Sequence, residues 1–137
     1  MSPFSSVPSD ESHLIPCHFL VYRMILADSE WLDEDGTLDP AVFYRRKQDK
    51  DGVSLATSVS VGLERLKKWG RAVEGCVSLH VGWVRNIEKL DVTRKDATDT
   101  HPVIIGLPYS HENPREAERL ASQLLKIARN EPLPPTE

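Results

Sequence analysis

The apolar residues of the chain fall into several short runs that have the two-residue period of a β-strand. Residues 17–26 (CHFLVYRMIL) are apolar on both faces, which predicts a strand in the middle of a sheet. Residues 52–58 (GVSLATS) and 76–81 (CVSLHV) alternate between apolar and polar side chains, as strands with one buried face do. The runs 88–94 and 101–108 are two further candidates, so the pattern predicts about five strands.

Two other segments have the spacing of an amphipathic helix. In residues 58–69, apolar side chains recur every three or four positions, a serine at the start can cap the first turn, and Gly70 follows the last. Residues 113–129 begin with Asn113 and Pro114, which are favoured at the first positions of a helix, and continue with one apolar stripe. We therefore predict an α+β fold with one mixed or antiparallel sheet of about five strands packed by two helices.

The length of 137 residues fits one domain with a single core. Residues 1–16 are rich in serine and proline and poor in apolar side chains, which predicts a disordered leader. Residues 131–137 are rich in proline and predict a disordered tail. The expected folded domain is therefore 17–130. The first residues do not resemble a signal peptide, and no apolar run reaches the roughly 20 residues of a membrane span. We expect a soluble, cytoplasmic protein without a membrane partner.

The net charge of −4 argues against non-specific binding to nucleic acid. An alternative function is weak binding of nucleic acid. It rests on two basic clusters with aromatic neighbours, YRRKQDK (44–50) and LERLKKWGR (63–71). Acidic residues interrupt both clusters, so we interpret them as ordinary solvated surface.

Cysteine and histidine give no metal-binding motif. Cys17 and Cys76 are not spaced as a CxxC pair, and we expect both thiols to be reduced. The five histidines are scattered, so a metal site could only be assembled in space, from Cys76, His80 and His101. Phosphate loops of the GxGxxG and GxxxxGK types, HExxH and GxSxG are all missing from the sequence. We predict no metal and no cofactor.

The chain resembles the ADP-ribosyltransferase-like fold in the order of its segments. These are the strand HFLVYR, a spacer, GVSLATS leading into a helix, a strand pair and THPVIIGLP. This resemblance implies NAD as a cofactor. It places Arg23, or His18, at the NAD phosphate and ribose, and Ser54, backed by Thr57 and Ser58, at the nicotinamide ribose. A cation suits a diphosphate, and hydroxyl groups suit a ribose.

The third motif of that fold is a glutamate near a late strand, and here the sequence reads DTHPVI, with Asp99 or His101 in its place. If the resemblance includes activity, the candidate catalytic residues are Arg23, Ser54 and His101. The layout is also similar to that of small bacterial proteins. The candidate ligand-binding residues are His18, Tyr22, Arg23, Ser54, His80 and His101.

Because no catalytic set is complete, we predict a non-catalytic protein-interaction or regulatory module. Trp31 and Trp83 are the candidate anchors for a partner, since tryptophans outside a core often mark interfaces. The expected partner is another protein, and formation of a homo-oligomer is an alternative. The alternatives are an NAD-binding or ADP-ribosyl-transferring domain and the weak nucleic-acid binder.

Overall fold

The computed structural model describes residues 15–134, and this part of the chain is α+β, as predicted. The strands are β1 (Leu20–Leu26), β2 (Val53–Ser54), β3 (Val73–His80), β4 (Asp91–Thr93), β5 (Val103–Ile105) and β6 (Arg129–Glu131). The α-helices are α1 (Val59–Lys68), α2 (Val81–Arg85) and α3 (Pro114–Ile127), and a 3-10 helix covers Pro40–Phe43.

The strands form two antiparallel three-stranded sheets instead of the predicted single sheet of about five strands. One sheet has the order β1-β3-β6 and the other the order β2-β5-β4. The two sheets meet at one β-bridge, in which the amide of Tyr22 donates to the oxygen of Ala56 and the amide of Ala56 to the oxygen of Tyr22, both at 2.9 Å. The prediction was wrong because β1 pairs with β3 while β2 pairs with β5, and these two pairs belong to different sheets.

The two long helices begin where their capping residues predicted. The Ser58 hydroxyl accepts a hydrogen bond from the amide of Val61, and the Asn113 side chain accepts one from the amide of Glu116. The sequence reading missed α2, because residues 76–81 alternate like a strand as far as Val81, where this helix begins.

The core lies between the first sheet and α3, and α1 covers the opposite face of that sheet. Val77 and Leu79 of β3 point into the core. Cys76 and Ser78, on the other face of β3, are also buried, at 2% and 4% exposure. The predicted solvent-facing side of this strand is therefore covered.

The folded part extends beyond both predicted boundaries. Ile15 is 1% exposed and belongs to the core, although it was assigned to a leader covering 1–16. Glu131 pairs with Cys76 in the first sheet, although it was assigned to the tail. The rest of the predicted leader, except Pro16, and residues 135–137 of the predicted tail lie outside the described residues. Within residues 15–134, every helix is too short and too polar to cross a lipid bilayer.

Candidate functional site

A cleft of about 320 Å³ opens between β1, α1, the start of the second sheet and the loop that follows the 3-10 helix. Among the described residues, its wall contains four arginines and one carboxylate. They are Arg23, Arg46, Arg65, Arg71 and Asp49. Because the whole chain has a net charge of −4, this surplus of cations is local. Like charges held together repel one another, so the cleft favours an anionic ligand.

β1 contributes Arg23, which is partly buried. Its Nε donates to the carbonyl oxygen of Val42 at 2.9 Å, and its Nη1 donates to that of Ser54 at 2.8 Å. Its Cζ lies 5.3 Å from the centre of the Trp31 ring. Burial lowers the pKa of Arg23 to about 10, while the nearby Asp49 carboxylate acts to raise it. The guanidinium stays charged at neutral pH, but two of its three nitrogens hold the fold together.

The loop after the 3-10 helix contributes Arg46. The neighbouring Arg45 fixes this loop by donating to two of its carbonyl oxygens, at 2.8 and 2.6 Å, and to the oxygen of Leu107 at 3.3 Å. The amide of Arg46 donates to Asp49 Oδ2 at 2.9 Å, which closes a tight turn. The Cζ of Arg46 lies 5.1 Å from the centre of the Trp31 ring, the ring that Arg23 also contacts. Arg46 is itself exposed and can reach a ligand.

Helix α1 contributes Arg65 and, one turn later, Trp69 at the same side of the helix. Arg65 Nη1 donates to the Ser54 hydroxyl at 3.0 Å, and its Cζ lies 4.6 Å from the centre of the Trp69 ring. Burial lowers the pKa of Arg65, and the Asp99 carboxylate opposes this effect. Trp69 is 60% exposed, so it offers a flat aromatic surface at the mouth of the cleft.

His101 enters the cleft from the segment that precedes β5. The amide of Leu55 donates to the oxygen of Pro102 at 2.8 Å, which places His101 beside the β2 segment. Nδ1 of His101 is buried and has no hydrogen-bond partner among residues 15–134. Burial lowers the pKa of His101, and the positive charge of Arg65 lowers it further. The imidazole is therefore held neutral at pH 7.

The structure brings most of the predicted ligand-binding residues together. Tyr22, Arg23, Ser54 and His101 all line the cleft. The three candidate catalytic residues are among these four. His18 is exposed and contacts the edge of the Phe19 ring instead.

His80 lies apart from the cleft, in a second pocket of about 130 Å³ that contains residues of β1, β3, α2 and β6. Its ring stacks on that of Trp83, with centres 5.0 Å apart. Arg129 lies 5.4 Å from the centre of the same Trp83 ring. Nδ1 of His80 is buried, again without a partner in the described part of the chain.

Trp31 and Trp83 were predicted to anchor a partner, but the two side chains differ in their exposure to solvent. Trp31 is 4% exposed, because it packs into the core and two guanidinium groups lie by its ring. The expectation that Trp31 is a surface anchor is therefore wrong. Trp83 is 40% exposed, and the neighbouring Phe19 and Leu20 are 39% and 44% exposed.

Sequence reasoning missed Arg46, Arg65 and Trp69 as site residues. The signal was present in the two basic clusters, 44–50 and 63–71, each of which includes an aromatic residue. We interpreted both clusters as solvated surface, but each turns at least one arginine into the same cleft. Only the tertiary structure shows that the two clusters face each other.

The possible metal site is not formed, since no group of three histidine, cysteine or acidic side chains in residues 15–134 could hold a metal ion. That finding includes the combination of Cys76, His80 and His101, the one considered from the sequence. No protein family, curated protein or solved structure that we searched matches the chain.

Proposed function

We propose that this domain is a regulatory module that binds a phosphate-bearing ligand of the nucleotide class in the cleft, without converting it. One observation carries the proposal: Arg23, Arg46 and Arg65 come from three different elements and line one cleft. Guanidinium groups bind phosphate oxygens through paired hydrogen bonds, and fixed clusters of them are typical of phosphate recognition.

The four arginines of the cleft would contribute unequally to binding the ligand. Arg23 is engaged with two backbone oxygens, and Arg71 makes an exposed ion pair with Asp28 at 3.1 Å. The side chain of Arg46 makes no hydrogen bond among residues 15–134, and that of Arg65 makes one, to a hydroxyl group and not to a carboxylate, so these two are best suited to contact phosphate. Trp69 would stack on an aromatic group of the ligand, because an exposed indole ring packs well on another flat ring.

A small molecule fits this site better than a nucleic-acid strand. The volume of about 320 Å³ lies at the lower end of the range of small-molecule sites. A strand requires a long basic groove, whereas the arginines here converge on one place.

ADP-ribosyl transfer from NAD is the second candidate, and it is favoured by the shared position of Arg23, Ser54 and His101 in the cleft. Transfer also requires a carboxylate to orient the ribose, and Asp49 is the carboxylate of the described cleft wall. If NAD is consumed by the wild type, and Asp49→Asn abolishes that consumption, the transferase replaces the regulatory module. If NAD binds and is recovered intact, the non-catalytic proposal stands.

Calorimetric titration with ADP and with pyrophosphate at low salt tests the proposal directly. We expect both ligands to bind the wild type, and we expect Arg46→Gln and Arg65→Gln each to weaken ADP binding about tenfold or more, since a charged hydrogen bond to phosphate is lost. Higher salt should weaken binding to the wild type more than to either variant.

Arg115→Gln is the matched control, because Arg115 is an exposed arginine at the start of α3 and does not line the cleft. It should bind ADP as the wild type does. Equal loss of affinity in all three variants, or no detectable binding by the wild type, would overturn the proposal. Thermal unfolding of each variant separates loss of binding from loss of folding.

A further inference from the structure

β6 leaves one side of the first sheet unpaired. Its residues Arg129–Glu131 pair with β3, and no other backbone hydrogen bond involves them in the described part of the chain. Arg129 and Asn130 are exposed. An exposed strand edge is a template for a further strand. Pro132 follows directly and cannot donate, so only a short partner strand can be accommodated.

The charges on this edge are self-complementary. Arg129 and Glu131 are two positions apart, so their side chains lie on the same face of the sheet. In an antiparallel pair of two β6 strands with the twofold axis at Asn130, each Arg129 lies directly opposite Glu131 of the second copy. Opposite charges in this position stabilise a strand pair, and like charges destabilise it.

The second pocket lies beside this edge. Ile127, Arg129 and Glu131 line it together with Trp83 and Leu20. Ser78 Oγ donates to Glu131 Oε2 at 2.7 Å, and Arg129 lies by the Trp83 ring, so both charged side chains are held at this edge.

We infer that two copies of this chain associate through β6, in an antiparallel pair centred on Asn130, with Arg129 of each copy opposite Glu131 of the other. The result is a continuous six-stranded sheet with a closed, symmetric interface. This inference is independent of the ligand that the cleft binds.

Sedimentation velocity of the full chain over a range of concentrations tests the inference. We expect the wild type to change from monomer to dimer as concentration rises. Arg129→Glu and Glu131→Arg should each weaken the dimer about tenfold or more, because two like-charge pairs then face each other. The double variant Arg129→Glu with Glu131→Arg should restore dimerisation to within about threefold of the wild type.

Arg115→Glu, the same charge reversal on α3, should leave the dimer unchanged. The inference is overturned if the wild type stays monomeric up to about 1 mM, which is the limit for a weak specific complex. It is also overturned if the double variant is as monomeric as the single ones. Circular dichroism verifies that each variant is folded.

Discussion

Arg23 and Arg65 have the same side chain, but their surroundings give them different tasks. Replacing Arg23 would leave the oxygens of Val42 and Ser54 without a donor in a partly buried place, so its loss affects folding before it affects binding. Arg65 bonds one hydroxyl group and contacts an exposed ring, and it can turn toward a ligand. For this reason Arg65, and not Arg23, is the position at which to test binding.

Arg23 lies in a mostly apolar strand, so its guanidinium needs a partner. The sequence could not name that partner, because Val42 is 19 residues away in the chain and offers only a backbone oxygen. A backbone acceptor has no signature in the sequence. The same limit applies to Arg45, which holds the loop of the cleft through main-chain oxygens.

His101 gives the cleft a dependence on pH. Its pKa lies below the ordinary 6.5 because burial and Arg65 both disfavour the imidazolium ion. The folded state therefore favours neutral His101, and its stabilising effect, present above pH 6.5, is lost as the pH falls toward the folded pKa. We expect NMR titration of the His101 ring to give a pKa below 6.5, and we expect ADP to raise it.

Arg65→Gln provides the control for this titration. Removing the positive charge should raise the pKa of His101, while Arg115→Gln should leave it unchanged. An ordinary pKa in the wild type, or no response to Arg65→Gln, would show that His101 and Arg65 do not interact in solution.

At the scale of elements, the long helices and most strand positions were predictable, but the strand lengths and their pairing were not. The Ser58 and Asn113 caps and the apolar stripes located α1 and α3 to within a few residues. The runs 52–58, 88–94 and 101–108 contain β2, β4 and β5, whereas β6 has three residues, which is too few for a period to be recognised. The division into two sheets follows from long-range pairing that the local pattern does not contain.

Gly52 holds the loop of the cleft against the second sheet. Its φ of 132° is one that side chains rarely adopt, and a Cβ atom would collide with the backbone oxygen of Ile104. We expect Gly52→Ala to lower the free energy of unfolding by about 3 kcal/mol or more, measured by urea denaturation.

Gly70 is the matched control, since its φ of 68° is also positive but a Cβ atom there would meet nothing within 4 Å. Gly70→Ala should lower the free energy of unfolding by only about 1–2 kcal/mol, which is the penalty of the left-handed backbone alone. If the two variants are equally stable, the contact between Gly52 and β5 is looser than described.

At the scale of the whole molecule, the extent of the domain differs from the prediction because one apolar residue was overlooked. Ile15 lies at the end of a stretch with few apolar residues, but it belongs to the core, and Arg85 donates to its carbonyl oxygen at 2.6 Å. We expect Ile15→Ala to lower the free energy of unfolding by about 2–4 kcal/mol in urea denaturation.

Ile105→Ala is the comparison for this variant, because the same side chain is 38% exposed in β5. The Ile105→Ala substitution should lower the free energy of unfolding by less than about 1 kcal/mol. A similar small loss for Ile15→Ala would mean that the segment at Ile15 is not part of the cooperative fold.

The net charge describes the chain as a whole and conceals the cleft. A chain with 21 acidic and 17 basic residues gives no sign that four arginines converge. Their convergence depends on folding two separate clusters against each other.

The bridge between Tyr22 and Ala56 has a mechanical consequence. It joins the two sheets through one pair of hydrogen bonds, and the cleft lies across that junction, with Arg23 on one side and His101 on the other. Buried side chains of both sheets belong to one core, so the two sheets are also held together by packing. A ligand that contacts both sides of the cleft would add bonds across the same junction.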